Sequence, residues 1–226
     1  MSQSDSFIDE VTEEVRRDRL FALMRRYGWI AIAVIVLIVG AAAWNEYRKA
    51  QDRAAAEALG DALLSALEQD TPAERVAALD AVPAEAPGQI AIRALLEASE
   101  AAADGDPEAA ADTLTQVADL PDLPPVYRRI AQFKALGYQA ATRPAAERRA
   151  AYEDLVVPGS ELRLLAQEQI ALTYIEEGDT AAALDICRQI LDDAQATAGL
   201  RQRVSQLMVA LGADPDGQDA APDNGE

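Results

Sequence analysis

The 226 residues carry 39 acidic and 20 basic side chains, a net charge of −19, and half of them are hydrophobic. So acidic a chain repels phosphate backbones, which argues against nucleic acid as a partner. With no histidine and one cysteine, it lacks the commonest general base, the commonest metal ligand and any intrachain disulfide.

Alanine, leucine and glutamate dominate and aromatics make up only 5%, a mix that favours helix nearly everywhere and leaves little material for a sheet. In chain order, the first element is residues 1–26. Phe7, Ile8, Val11, Val15, Leu20, Leu23 and Met24 recur there at helical spacing, with Arg16, Arg17 and Arg19 among them. The pattern predicts an amphipathic helix lying on the inner leaflet or against a membrane partner; a solvated helix is the plainer alternative.

The run from Trp29 to Trp44 follows, with no ionisable residue. Extended to Tyr27 and Tyr47 it reaches about 31 Å as helix, enough for a hydrocarbon core of about 30 Å. Tyr27, Trp29, Trp44 and Tyr47 would then lie at the two interfaces. Two other readings compete. A buried core helix rarely offers so long an apolar surface all round. A cleaved signal peptide finds an A-x-A site at Ala41-Ala42-Ala43, but the long, partly acidic lead is unlike a short basic n-region. Five arginines precede the run, Arg25 and Arg26 at its boundary, which predicts a cytoplasmic N-terminus and a C-terminal domain outside.

Helix is expected to continue through Asn45 to Gln69. Thr71-Pro72-Ala73-Glu74 then reads as a capping box opening a helix to about Val82. Further helices are expected over about 88–103, from a cap at Asp106 to about Leu120, and over 125–141. After a turn at Thr142-Arg143-Pro144, another runs to about Val157. Ser160 is expected to cap a helix ending at Gly178, Asp179 its partner to about Ala194, and Thr197 a last helix ending at Gly212. From Ala213 the chain is acidic, without apolar periodicity, and reads as disordered.

The hairpins begin near residues 88, 125 and 160, a period of about 35, and a single helical hairpin cannot bury its apolar face alone. In the last one Ile170-Ala171, Tyr174, Gly178, Ala183 and Cys187 supply a large-small pair, an aromatic, a turn glycine, a small crossing residue and a core residue. In the first, Ala98, Gly105, Ala110 and Leu114 keep the same spacing. The middle one has Leu136-Gly137 but no turn glycine, and its second helix fits poorly. From Gly88 to Gly212 the chain thus resembles tetratricopeptide repeats. The fold class expected is all-α: a single N-terminal transmembrane helix followed by a tetratricopeptide-like α-hairpin solenoid.

No phosphate loop, nucleophile elbow or zinc spacing occurs, so no catalytic, cofactor-binding or metal-binding residue is expected and the chain does not read as an enzyme. Cys187 is expected to be a buried, inert thiol. Glu176-Glu177 and Asp192-Asp193, adjacent in sequence, diverge on a helix. In such hairpins the first helices line the concave face, where Lys134, Tyr138, Glu168, Leu172 and Ile175 would meet an extended or unfolded protein segment. The same residues also suit ordinary packing.

The segment SFIDEVTEEVRRDRLFALMRRYGWI, one anchor and a helical repeat domain together resemble the YfgM-like family, ancillary subunits of the bacterial SecYEG translocon. The resemblance covers residues 4 to 212 and implies a single-pass inner-membrane protein. Residues 1–26 would be cytoplasmic, 27–47 the transmembrane helix, 48–212 the periplasmic domain and 213–226 the acidic tail. The implied partners are the Sec channel, periplasmic chaperones and emerging clients, with no cofactor. The alternative is an accessory subunit or assembly factor of another inner-membrane complex, respiratory or of envelope biogenesis.

Overall fold

The computed structural model describes residues 4–214, with side chains for 25–30 and 32–214. The side chains of the expected amphipathic segment before Arg25, and the tail beyond Asp214, lie outside the described residues. Among the described residues all regular structure is helical. Helix α1 spans Ser4–Leu67. It makes up the described part of one compact unit, residues 1–58, and its last turns belong to a second, residues 59–226.

In the first unit the side chains of Ile30 and of residues 32–39 are exposed; Leu37 is 72% exposed and Trp29 68%. None of the apolar window is buried, its mean hydropathy is 2.2, and the helix is long enough to cross a bilayer. A helix from the core of a soluble protein would be covered instead.

The second unit is built from the end of α1 and eight more helices: α2 Pro72–Asp80, α3 Pro87–Ala103, α4 Pro107–Ala118, α5 Pro125–Tyr138, α6 Ala145–Glu153, α7 Arg163–Glu176, α8 Thr180–Asp192 and α9 Ala198–Ala210. The expected caps form. Thr71 and Glu74 exchange the two bonds of a capping box, Asp106 Oδ1 accepts from Ala109 N at 2.9 Å, and Asp179 Oδ1 accepts from Ala182 N at 3.0 Å.

Hairpins α3–α4 and α7–α8 turn by the same three residues: a C-cap, a glycine, an aspartate N-cap. Gly105 and Gly178 adopt φ of +90° and +81°, which lets Asp106 N reach Ala101 O and Asp179 N reach Tyr174 O, both at 2.9 Å. The small residues fall inside. Ala98, Ala110, Leu114, Ala171, Ala183 and Cys187 are all fully buried.

The middle hairpin differs. Lacking a left-handed glycine, α5 overwinds into a 3₁₀ turn at Gln139–Ala141, and Thr142-Arg143-Pro144 lengthen the link. Helix α6 consequently packs along α7 and scarcely touches α5. A Cβ placed on Gly137 would meet nothing closer than Tyr152 Oη at 3.9 Å. Close packing therefore does not require glycine there, and Gly137→Ala should raise stability by about 0.5–1 kcal/mol in urea unfolding through helix propensity.

Two expected boundaries are corrected. The helix placed from Ser160 begins at Arg163. Gly159 takes φ +79° and Ser160 N bonds Val157 O at 3.0 Å, so the chain makes a turn before any helix can start. The helix expected to reach Val157 stops at Glu153, because Leu155 folds back into a core cluster with Tyr152 and Ile170.

The interior is a row of four small cores. One joins α1, α2 and α3 around Leu63 and Leu79; the next joins α3, α4 and α5 around Ala94 and Leu114. The third joins α5, α6 and α7 around Tyr152 and Ile170, and the fourth α7, α8 and α9 around Cys187 and Val204. Arginines tie neighbours together. Arg93 of α3 donates to Asp80 O and Val82 O at the end of α2, Arg128 of α5 to Ala118 O and Leu120 O after α4, and Arg201 of α9 to Asp193 O after α8. Each places a cation on carbonyls at or just beyond the C-terminal end of a helix, where the helix dipole is negative.

Candidate functional site

Of the residues expected on the concave face, α5 brings two together: Lys134 Nζ lies 5.7 Å from the Tyr138 ring centroid. Tyr138 also packs against the core of α3, α4 and α5. On α7, Glu168 is gripped by Arg203 of α9 through two bonds of 2.8 Å, a bidentate pair one repeat period apart. Leu172 and Ile175 are half-buried. Among the described residues no hydrogen bond, ion pair or ring contact joins Lys134 or Tyr138 to Glu168, Leu172 or Ile175. Tyr27, Trp29, Trp44 and Tyr47 are all at least half exposed, the last two with ring centroids 6.3 Å apart.

Ion pairs between helices engage several of the domain's arginines. Arg148 is 3% exposed; its Nε donates to Arg143 O and its Nη2 to Glu176. The neighbouring Arg149 pairs with Glu177 and lies 4.3 Å over the Tyr174 ring. The adjacent acids therefore clasp adjacent arginines of α6, a role that divergence on a helix did not suggest. Arg75 meets Glu100, Arg129 meets Glu161 and Arg163 meets Asp193. The Gln195 backbone N–H and the Arg163 guanidinium hold the Asp193 carboxyl below its ordinary value.

Burial acts the other way on three groups. It raises Glu97, against the pull of Arg93, and pushes Tyr152 up to about 12. The Cys187 thiol is pushed up to about 11 by burial and the Glu168 charge, so it stays protonated and unreactive at neutral pH.

Sequence reasoning missed one feature. Where α6 leaves α5, a groove of about 440 Å³ opens between α4, α5 and α6. Its lining includes the buried Leu136 and Leu155, the amides Gln132 and Gln139, the acids Asp119 and Asp154, and Arg143. The missing turn glycine signalled an irregular hairpin, though not the direction in which α6 departs. Among the described residues no group of acidic or cysteine side chains is arranged to hold a metal ion.

A family model described as a tetratricopeptide repeat-like domain matches residues 24–143, just over half of the chain. The match takes in the apolar stretch and runs to the middle hairpin. Searches of curated proteins and of solved structures give no match.

Proposed function

We propose that this chain, which belongs to the tetratricopeptide repeat-like domain family, is a membrane-anchored protein-interaction module rather than an enzyme. The observation that carries this reading is the junction of two things in one family-matched segment. An apolar helix with no part of its window covered by the chain leads into stacked hairpins that supply surfaces for other proteins. Arg25 and Arg26 at the leading end of the span favour a cytoplasmic N-terminus, with the repeat domain in the periplasm of a bacterial inner membrane.

Within that arrangement the chain serves the Sec translocon, linking it to periplasmic chaperones or emerging clients, as its resemblance to the YfgM-like family implies. Anchoring beside a channel raises the local concentration of the domain, so weak contacts suffice. Of the residues proposed for the concave face, Glu168 is held by Arg203 and Tyr138 contributes to a core, which leaves Leu172 and Ile175 as the contacts to test first. The pairing with another complex, respiratory or of envelope biogenesis, uses the same scaffold.

One experiment tests both location and partner. Photocrosslinking from position 172 in intact spheroplasts, with external protease added afterwards, should yield Sec-channel or chaperone adducts that the protease digests. Leu172→Glu should abolish their capture in mild detergent. Adducts to a respiratory or envelope-biogenesis complex would replace the Sec assignment, and protection from protease would invert the topology.

A further inference from the structure

We propose that one face of α1 pairs with the same face of a second copy of this chain, in parallel, through the membrane and for about two turns beyond it. The inference rests on the reading of this helix as a membrane span and is independent of which protein the repeat domain meets.

Outside the apolar run, between Asn45 and Ala54, only Tyr47, Ala50 and Ala54 are apolar; the other seven residues are polar or charged. Spacings of three and then four place the apolar three on one side of the helix, at the inner positions of a heptad. Nothing within the chain covers them: every residue from 32 to 58 is exposed, Tyr47 at 59%. Gln51 Nε2 donates to Tyr47 Oη at 2.9 Å, so the phenol is satisfied on its own helix and the ring is left as apolar surface. The domain's core does not account for the stripe either. Leu59, Ala62, Leu63 and Ala66, which α1 gives to the core it shares with α2 and α3, fall at outer positions of the same heptad frame, on the other side of the helix. A lone helix of this length is marginal in water, and a covering surface is what an apolar stripe in register on it answers to.

Carried back into the span at the same period, the stripe meets Ala43, Gly40, Val36 and Ala33. Three of these are small, and in lipid it is close approach of backbones that drives helices together. Lipid cannot impose a stripe on the aqueous turns, nor water on the span; a helix running alongside through both can. Such a partner crosses in the same direction and is small at the same depths. A second copy supplies both, because two chains inserted alike form a parallel pair about a two-fold axis. Charge agrees. In that pair Glu46 meets Gln51 of the second copy and Arg53 meets Ala58, so no like charges are opposed along the flanks. The seam is closed at each end by residues that would oppose their own kind: Arg26 before it, Glu57 and Asp61 after it. The helices therefore part where the second unit begins, at residue 59.

Cysteine crosslinking of the full chain in isolated membranes tests the pairing, in a Cys187→Ala background that removes the native thiol. On copper-phenanthroline oxidation, Ala50→Cys and Ala54→Cys should each give a product of twice the chain's mass, about tenfold more than Lys49→Cys or Asp52→Cys on the far side of the helix. Gly40→Ile, which keeps the span apolar but holds the backbones apart, should cut the Ala54→Cys product about fivefold. Equal products at all four sites would signify random collision and overturn the pairing, as would no product at 50 and 54 from membranes that retain the chain. A product of any other mass would give the face to a different protein and overturn it too. An undiminished product in Gly40→Ile would overturn the seam within the membrane. Recovery of the chain in the soluble fraction would remove the span and the pairing with it. Adducts from position 172 are scored separately, so a failed pairing is told apart from a failed reading of the repeat domain.

Discussion

Chains with lysine in place of both Ile35 and Val36 should leave the membrane pellet on alkaline extraction and appear in the soluble fraction. Both side chains sit mid-way along the apolar helix and are at least 60% exposed. A lysine at the centre of a span costs about 2.5–3.5 kcal/mol on insertion scales, whereas each aliphatic residue there contributes only about 0.3–0.6 kcal/mol. The aliphatic residues between Ile30 and Val39 thus gain on the order of 4 kcal/mol, less than two lysines cost. Leucine at the same two sites should leave the chain in the pellet. If the lysine variant also stays there, something other than this helix holds the protein to the membrane.

The second large effect is expected inside the domain. Glu176→Ala should cost about 2–3 kcal/mol in urea unfolding, because it strips the carboxylate from a guanidinium that is almost wholly buried. The loss falls short of the 3–5 kcal/mol of a fully buried pair because Glu176 is itself 46% exposed and screened by water. Arg148→Met in the same background should recover most of it, since the methionine packs against Tyr152 without a charge to satisfy. Glu177→Ala, on the outer pair with Arg149, should cost well under 1 kcal/mol. Equal costs at 176 and 177 would show that burial of Arg148 does not govern the α6–α7 contact.

The hairpin tips were legible because local chemistry writes them: a glycine before an aspartate ends one helix and caps the next, at Gly105-Asp106 and again at Gly178-Asp179. The alanines that sit fully buried between paired helices were legible through spacing. Long-range placement was not. Nothing about Arg148, in a short polar helix, marks it as buried, since its environment is made by Glu176 some 28 residues later. The concave-face selection named Glu168 without its partner Arg203, although a separation of 35 residues is the repeat period itself. The groove depends on where α6 goes once its link lengthens, and α6 packs chiefly along α7, a partner distant in sequence.

A row of four modest cores, each shared only by neighbouring helices, has a mechanical consequence. Tension applied to the last hairpin would detach α9 and α8 from α7 before it disturbed Leu114 or Leu79, because no single hydrophobic nucleus resists the load together. The domain would give way like a seam, stitch by stitch, and close again when slackened. Under load it would yield locally without losing its fold.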